Sequence, residues 1–267
     1  MIHATAVIEP GAELGENVTI GPMAYIAANV RIERDCVIGP HAVILDYTSL
    51  GEGCRVHAHA VLGDFPQDTA FVNAPSFLKI GSQCIIREGV TMHRGTKPES
   101  VTEVGPGCFL MANSHLAHNV KLGAGVVIAN GALLAGYVEV GERAFISGNC
   151  LLHQFIRVGR VAMLSGGCAL NKDVPPFCMT LGARSNQLAG LNVVGLRRAG
   201  FNPGQRLELK RAFGILFKSG LNMSQALEAL RRELPEGAAR ELAEFITGSK
   251  RGVCRWGSHR GDAGGDE

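Results

Sequence analysis

Aliphatic side chains recur at every sixth residue from Ile2 through Ile8, Leu14 and Ile20 to Leu62, eleven times without a miss. A small residue follows four places after almost every one, as at Ala6, Ala12, Ala24, Cys36, Ala42 and Cys54. The phase breaks over residues 65–78, restarts at Ile80, Ile86 and Met92, stumbles at Pro98, and runs twelve more times from Val104 to Leu170. A helix needs apolar residues every three to four positions and an ordinary strand every second, so neither explains a period of six. A parallel β-helix does: each hexad supplies one short strand and a turn, and three hexads close a triangular coil. The aliphatic residue then points inward and the small one sits near the corner. The 26 hexads make between eight and nine coils, which stacked at ~4.8 Å form a prism about 40 Å long. Glycine and asparagine at Gly15, Gly21, Gly39, Asn113, Gly123, Asn130 and Gly141 are expected to take left-handed turn conformations.

Stacked coils touch only their neighbours, so the core is a column of ladders and its open ends need a cover. Pro175 and Pro176 end the strand grammar. Helices are expected after Asn202-Pro203, after Asn222 or Ser224, and after Pro235, closing near Gly220 and at Gly248. Each is too short to stand alone and should pack on the prism. The expected division is a β-helix over residues 1–187, a helical domain over 188–248, and a Gly-rich, charged, disordered tail over 249–267.

Of 267 residues 46% are hydrophobic and 19% charged, with a net charge of +2, which favours a large packed core and gives no field for nucleic acid. No signal peptide and no run of 18 apolar residues is present, so a soluble, cytoplasmic protein without membrane insertion is expected. Six of the eight cysteines occupy the small position of the hexad, and no C-x-x-C pair occurs, so buried thiols are expected rather than disulfides or zinc ligands.

Residues n, n+18 and n+36 of an 18-residue coil share one outer stripe. From His118 that stripe reads His118, Gly136, Gln154. It combines a base of near-neutral pKa, a glycine that leaves room and an unshielded N–H, and an amide to orient a substrate. His93, His115 and His153 lie in the same half of the prism. The competing readings are exposed turn histidines on a solvated face, or a zinc site, although no acidic residue accompanies the histidines and His115-x-x-His118 is not zinc-helix spacing. The excursion over residues 65–78, with two prolines and Asp68, is either a binding loop or a plain surface insertion.

An ordered set of motifs then becomes familiar: Gln67-Asp68, TMHRGT at 91–96, NSHLAHN at 113–119, LLAG at 133–136, HQF at 153–155, KDVPP at 172–176 and GLNVVGLRRAGF at 190–201. With these motifs the chain resembles the acyl-ACP:UDP-N-acetylglucosamine O-acyltransferases, which open lipid A biosynthesis. The resemblance implies a mainly β fold, a left-handed parallel β-helix of hexapeptide repeats with a small C-terminal α-helical domain, assembled as a homotrimer with sites between subunits. It implies transfer of a 3-hydroxyacyl chain from acyl carrier protein to the sugar 3-hydroxyl, with no cofactor beyond the carrier's phosphopantetheine and no metal. By position, His118 resembles the general base and Gly136 the oxyanion N–H. Asp68, His93, His115, His153 and Gln154 resemble groups that bind sugar, pyrophosphate or acyl chain; Asn192 and Arg198 resemble nucleotide contacts, and Gly166 the residue that limits chain length. The chain departs from the family pattern at Ala70, Asn119, Tyr137, Val194 and Ala199. Two alternatives stay open, a sister enzyme that acylates an amino UDP-sugar and a non-catalytic β-helix scaffold.

Overall fold

A computed structural model describes residues 1–182 and 186–257. Every hexad aliphatic lies in a short parallel strand except Ile2, which makes a single bridge to Ile20. The strands stack into sheets of nine, eight and eleven members, the three faces of the expected prism. Both apolar positions of the hexad are inside: Ile44, Leu62, Leu110 and Ile128 are fully buried, and so are Ala42, Cys54 and Ala60 at the corners. All eight cysteines are buried. Several thiols donate to corner carbonyls, as Cys36 Sγ does to the Gly51 oxygen at 3.2 Å, so these thiols serve as small core groups.

The turn glycines act differently from expectation. Of the seven turn residues named above, only Asn113 has a left-handed backbone; the left-handed positions are filled instead by residues such as Asn17, Asp35 and Tyr137. Gly15, Gly123 and Gly141 are needed for closeness, because a Cβ there would lie 2.5–2.6 Å from backbone nitrogen of the next coil.

The three faces differ in chemistry. One carries, in register, Val7, Tyr25, Val43, Val61, Thr91, His115, Leu133, Leu151 and Ala169 outward; we call it the histidine face. A second, the methionine face, carries Val37, Arg55, Ile85, Phe109, Val127, Phe145, Met163 and Met179. The third is a charge ladder, with Lys79, Glu103, Lys121, Glu139 and Arg157 alternating in sign from coil to coil. Opposite charges directly across a parallel pair are favourable and keep that face wet.

The sheet continues past the expected boundary at 187, since Gln187–Leu191 pairs antiparallel with Cys178–Thr180. Four helices follow: α1 (Val193–Arg198), α2 (Pro203–Lys218), α3 (Met223–Glu233) and α4 (Gly237–Thr247). The last three are the expected ones, with Asn202 and Asn222 closing capping boxes on Gln205 and Gln225. At six residues, α1 is too short for a periodic signal, and sequence reasoning missed it.

The expectation of a disordered tail from residue 249 is corrected as far as Gly257. Val253 bridges to Asp173, and Arg255–Trp256 pairs with Gln187–Leu188. The cause is burial at the open end of the column: Cys254 is fully buried, and the Trp256 ring meets Phe213 edge-on at 5.5 Å with the Lys218 ammonium 4.2 Å from its centre. The remainder of the expected tail, 258–267, lies outside the described residues. Among the described residues no helix is long and apolar enough to cross a membrane.

Candidate active site

The stripe arithmetic holds where the coils are regular. His118 is only 6% exposed, and its ring lies directly over Gly136: a Cβ built on that glycine would come within 2.4 Å of His118 Cε1 and 2.6 Å of Nε2. The glycine is therefore required by the histidine, and its backbone is not left-handed. Among the described residues the Gly136 N–H has no hydrogen-bond partner.

Asn119 holds the His118 ring. Its side-chain oxygen accepts the Thr96 backbone N–H at 3.0 Å, and its own N–H donates to Thr102 Oγ1 at 2.7 Å. The same oxygen lies 3.1 Å from His118 Nδ1. An amide oxygen only accepts, so Nδ1 carries a proton, and in the neutral ring this tautomer leaves the lone pair on Nε2. Tyr137 meets the His118 ring edge-on at 5.3 Å and stacks on Phe155 at 5.0 Å, making an aromatic wall.

His118 and Gly136 line a cavity of about 570 Å³ together with His115, His153, Gln154 and Gln67. Four of the five positions assigned to sugar, pyrophosphate or acyl binding thus gather around it. His115 and Gln154 line it directly, as does His153, and His93 sits beneath, its ring edge-on to His115 at 4.8 Å. His115 Nδ1 is 2.7 Å from Thr91 Oγ1, and burial, with His93 adding to it, pushes the His115 pKa down to about 4. Burial lowers that of His93 as well. The His115 ring is therefore neutral near pH 7 and acts as a hydrogen-bonding group rather than a cation. Asp68 approaches from the excursion: its carboxylate accepts the Ala70 N–H at 2.9 Å and the Thr96 hydroxyl at 3.2 Å. The Ala70 bond first, then Thr96 and the nearby His118, hold its pKa below the usual carboxylate range.

Three assigned residues lie elsewhere in the protomer. Asn192 and Arg198 line a second, apolar cavity of about 720 Å³ on the methionine face, with Val193, Val194 and Met163. The Asn192 side chain is already committed there, capping α1 through the Gly195 N–H and donating to the Val161 oxygen at 2.8 Å. Gly166 stands at the far corner of the histidine face, outside the lining of the His118 cavity. A Cβ there would touch only the Gly148 oxygen at 3.6 Å, so a side chain fits without strain. Gly166→Met is therefore expected to keep its melting temperature while kcat/KM falls for long acyl donors and not for short ones. Each excluded methylene would remove about 0.8 kcal/mol of burial. A uniform loss over all chain lengths, with a lowered melting temperature, would assign Gly166 to the turn alone.

Sequence reasoning missed Asn119 and Thr96 as orienting groups and the apolar strip Leu133, Leu151, Ala169 that floors the cavity. The strip was readable by the same step of 18 residues taken from His115. The Thr96 contact was not, because it crosses an irregular segment. Among the described residues no three His, Cys, Asp or Glu side chains converge to hold a metal ion.

The prism of stacked hexad coils places the chain in the hexapeptide-repeat class. Residues 29–64 and 102–136 match the bacterial transferase hexapeptide family, and residues 173–254 match the second domain of UDP-N-acetylglucosamine O-acyltransferase. The acyl-[acyl-carrier-protein]–UDP-N-acetylglucosamine O-acyltransferase of Thermodesulfovibrio yellowstonii is 41% identical over 95% of this chain and 99% of its own. That of Trichlorobacter lovleyi is 47% identical over the same shares. The crystal structure of the UDP-N-acetylglucosamine acyltransferase from Bacteroides fragilis superposes with a TM-score of 0.91 at 38% identity, covering 96% of this chain and all of that one. The chain belongs to the acyl-[acyl-carrier-protein]–UDP-N-acetylglucosamine O-acyltransferase family, and its prism is the left-handed β-helix of that family.

Proposed function

We propose that this chain transfers a 3-hydroxyacyl group from acyl carrier protein to the 3-hydroxyl of UDP-N-acetylglucosamine, with His118 as general base. The observation that carries the reading is the His118 ring held over Gly136, with Nδ1 facing the Asn119 oxygen. Nε2 takes the proton of the sugar hydroxyl as its oxygen attacks the thioester carbonyl. The oxyanion that forms is held by the Gly136 N–H. As the C–S bond breaks, the imidazolium returns the proton to the leaving phosphopantetheine thiolate, giving the ester and free carrier. No cofactor or metal enters this balance. A donor on acyl carrier protein and eight buried thiols both suit a cytoplasmic setting.

Asn119 supports a second reading. A neutral partner stabilises an imidazolium less than a carboxylate does, which suits an amine acceptor that needs little base assistance. Incubation with 3-hydroxyacyl-ACP and UDP-N-acetylglucosamine, and in parallel with its 3-amino analogue, followed by mass detection, distinguishes ester from amide. No product from either acceptor would leave a scaffold.

The site is completed between subunits. Two apolar faces stand beside one charged face, and a heterologous contact between the unlike apolar faces satisfies every subunit only in a closed ring. Such a contact brings the His118 cavity of one subunit against the Asn192 and Arg198 cavity of the next. A sedimentation mass of three chains of 28.3 kDa is expected, and a monomer at micromolar concentration would overturn the assembly.

A further inference from the structure

Arg94 is only 2% exposed, yet among the described residues it has no carboxylate within ion-pair distance. Its guanidinium is boxed by aromatic rings, 4.9 Å from the centre of Phe65, 5.1 Å from Tyr47 and 5.7 Å from Phe71. Nη2 donates to Asn73 Oδ1 at 2.9 Å, whereas Nη1 is buried with no partner. Tyr47 belongs to the prism; Phe65, Phe71 and Asn73 belong to the excursion between the strands Val61–Asp64 and Phe77–Ile80. A buried cation compensated by rings on two separate segments is a clamp between those segments.

Gln67, on the cavity wall, and Asp68, bonded to Thr96, lie between the two excursion rings. Those rings also meet each other at 5.7 Å, so the seven residues from Phe65 to Phe71 are held at both ends. The excursion has no strand or helix of its own, and ordering it costs backbone entropy that local hydrogen bonds scarcely offset. Two residues beyond Arg94, Thr96 bonds both Asp68 and the Asn119 oxygen that faces His118. One short segment therefore carries the clamp and the link to the base.

We infer that Arg94 is a positioning residue that pins the 65–76 excursion to the prism and thereby sets Gln67 and Asp68 against the acceptor sugar. The inference rests on the acyl-transfer reading for its substrate. Lysine keeps the charge but has neither the planar face nor the fork, and Arg94→Lys should fail to restore function.

The test uses the full-length protein with Arg94→Met, Arg94→Lys and Phe71→Leu. Peptides spanning 65–76 should exchange amide hydrogens at least about tenfold faster in all three, reflecting loss of cation–π contact. KM for the UDP-sugar should rise by at least about tenfold, while KM for acyl-ACP changes less than about twofold. Oligomeric state and melting temperature should be retained. Unchanged exchange in 65–76, or kcat and both KM values deteriorating together with the melting temperature, would overturn the assignment. Should Arg94→Met fail to fold, Phe71→Leu, which keeps the cation and an apolar side chain, decides the question by the same readouts. A wild-type protein that turns over neither acceptor sinks the acyl-transfer reading instead, and the exchange measurement alone then judges the clamp.

Discussion

Replacing His118 with alanine is expected to lower kcat by about 10² to 10⁴, the range for loss of a general base, while leaving the oligomeric state and melting temperature nearly unchanged. The two effects separate because of where the residue stands. Leu116 and Val120, which flank it, point into the core and are fully buried. His118 occupies the corner outside that column, bonding Asn119 and touching Tyr137. Removing its ring leaves no core cavity and no unpaired inner group, so the coil keeps its stacking. Steady-state kinetics beside thermal unfolding provides the check. Activity above about a third of wild type would remove His118 from the proton transfer, since it falls far outside the expected loss.

Gly136→Ala is expected to cost at least about 100-fold in kcat, through displacement of the base by the order of 1 Å. One methyl group suffices, because it would sit 2.4 Å from His118 Cε1, closer than real carbon contacts. The backbone at Gly136 is compatible with alanine, so strain there is not the cause. The ring is a movable side chain and must swing off the glycine, which turns Nε2 away from the acceptor and breaks the Nδ1 contact with Asn119. Stability should change by no more than about 1 kcal/mol, because the methyl group meets the His118 ring rather than the aliphatic column, and that ring can move aside. A Gly136→Ala protein with more than about a tenth of wild-type kcat would mean that the ring position over this glycine does not set the rate.

Much of this was legible in the chain because a hexad repeat converts distance in sequence into distance in space by a fixed rule. Every sixth residue is inside and every eighteenth is stacked, so His118 and Gly136 were placed together by counting alone. The rule fails where coils are lengthened. His115 stacks on Thr91, 24 residues earlier, and Thr91 on Val61, 30 residues earlier. The excursions that cause this carry Phe65, Asp68 and Thr96, and their contacts with Arg94 and Asn119 follow from loop paths that no period encodes.

The sequence by itself determined the architecture, the inward and outward sense of the hexad positions, the helix start at Asn202, and the corner stripe of His118, Gly136 and Gln154, while Asn222 rather than Ser224 as the next cap was decided by the structure. These are local or periodic properties, set by side-chain size and backbone preference within a few residues or one coil. Tertiary structure alone decided which oxygen faces His118, how a buried arginine is compensated, and that the segment 253–256 returns to cover the end of the prism. Each depends on groups far apart along the chain meeting where the repeat is interrupted. There the outcome is set by burial and hydrogen-bond satisfaction, which the linear pattern does not carry.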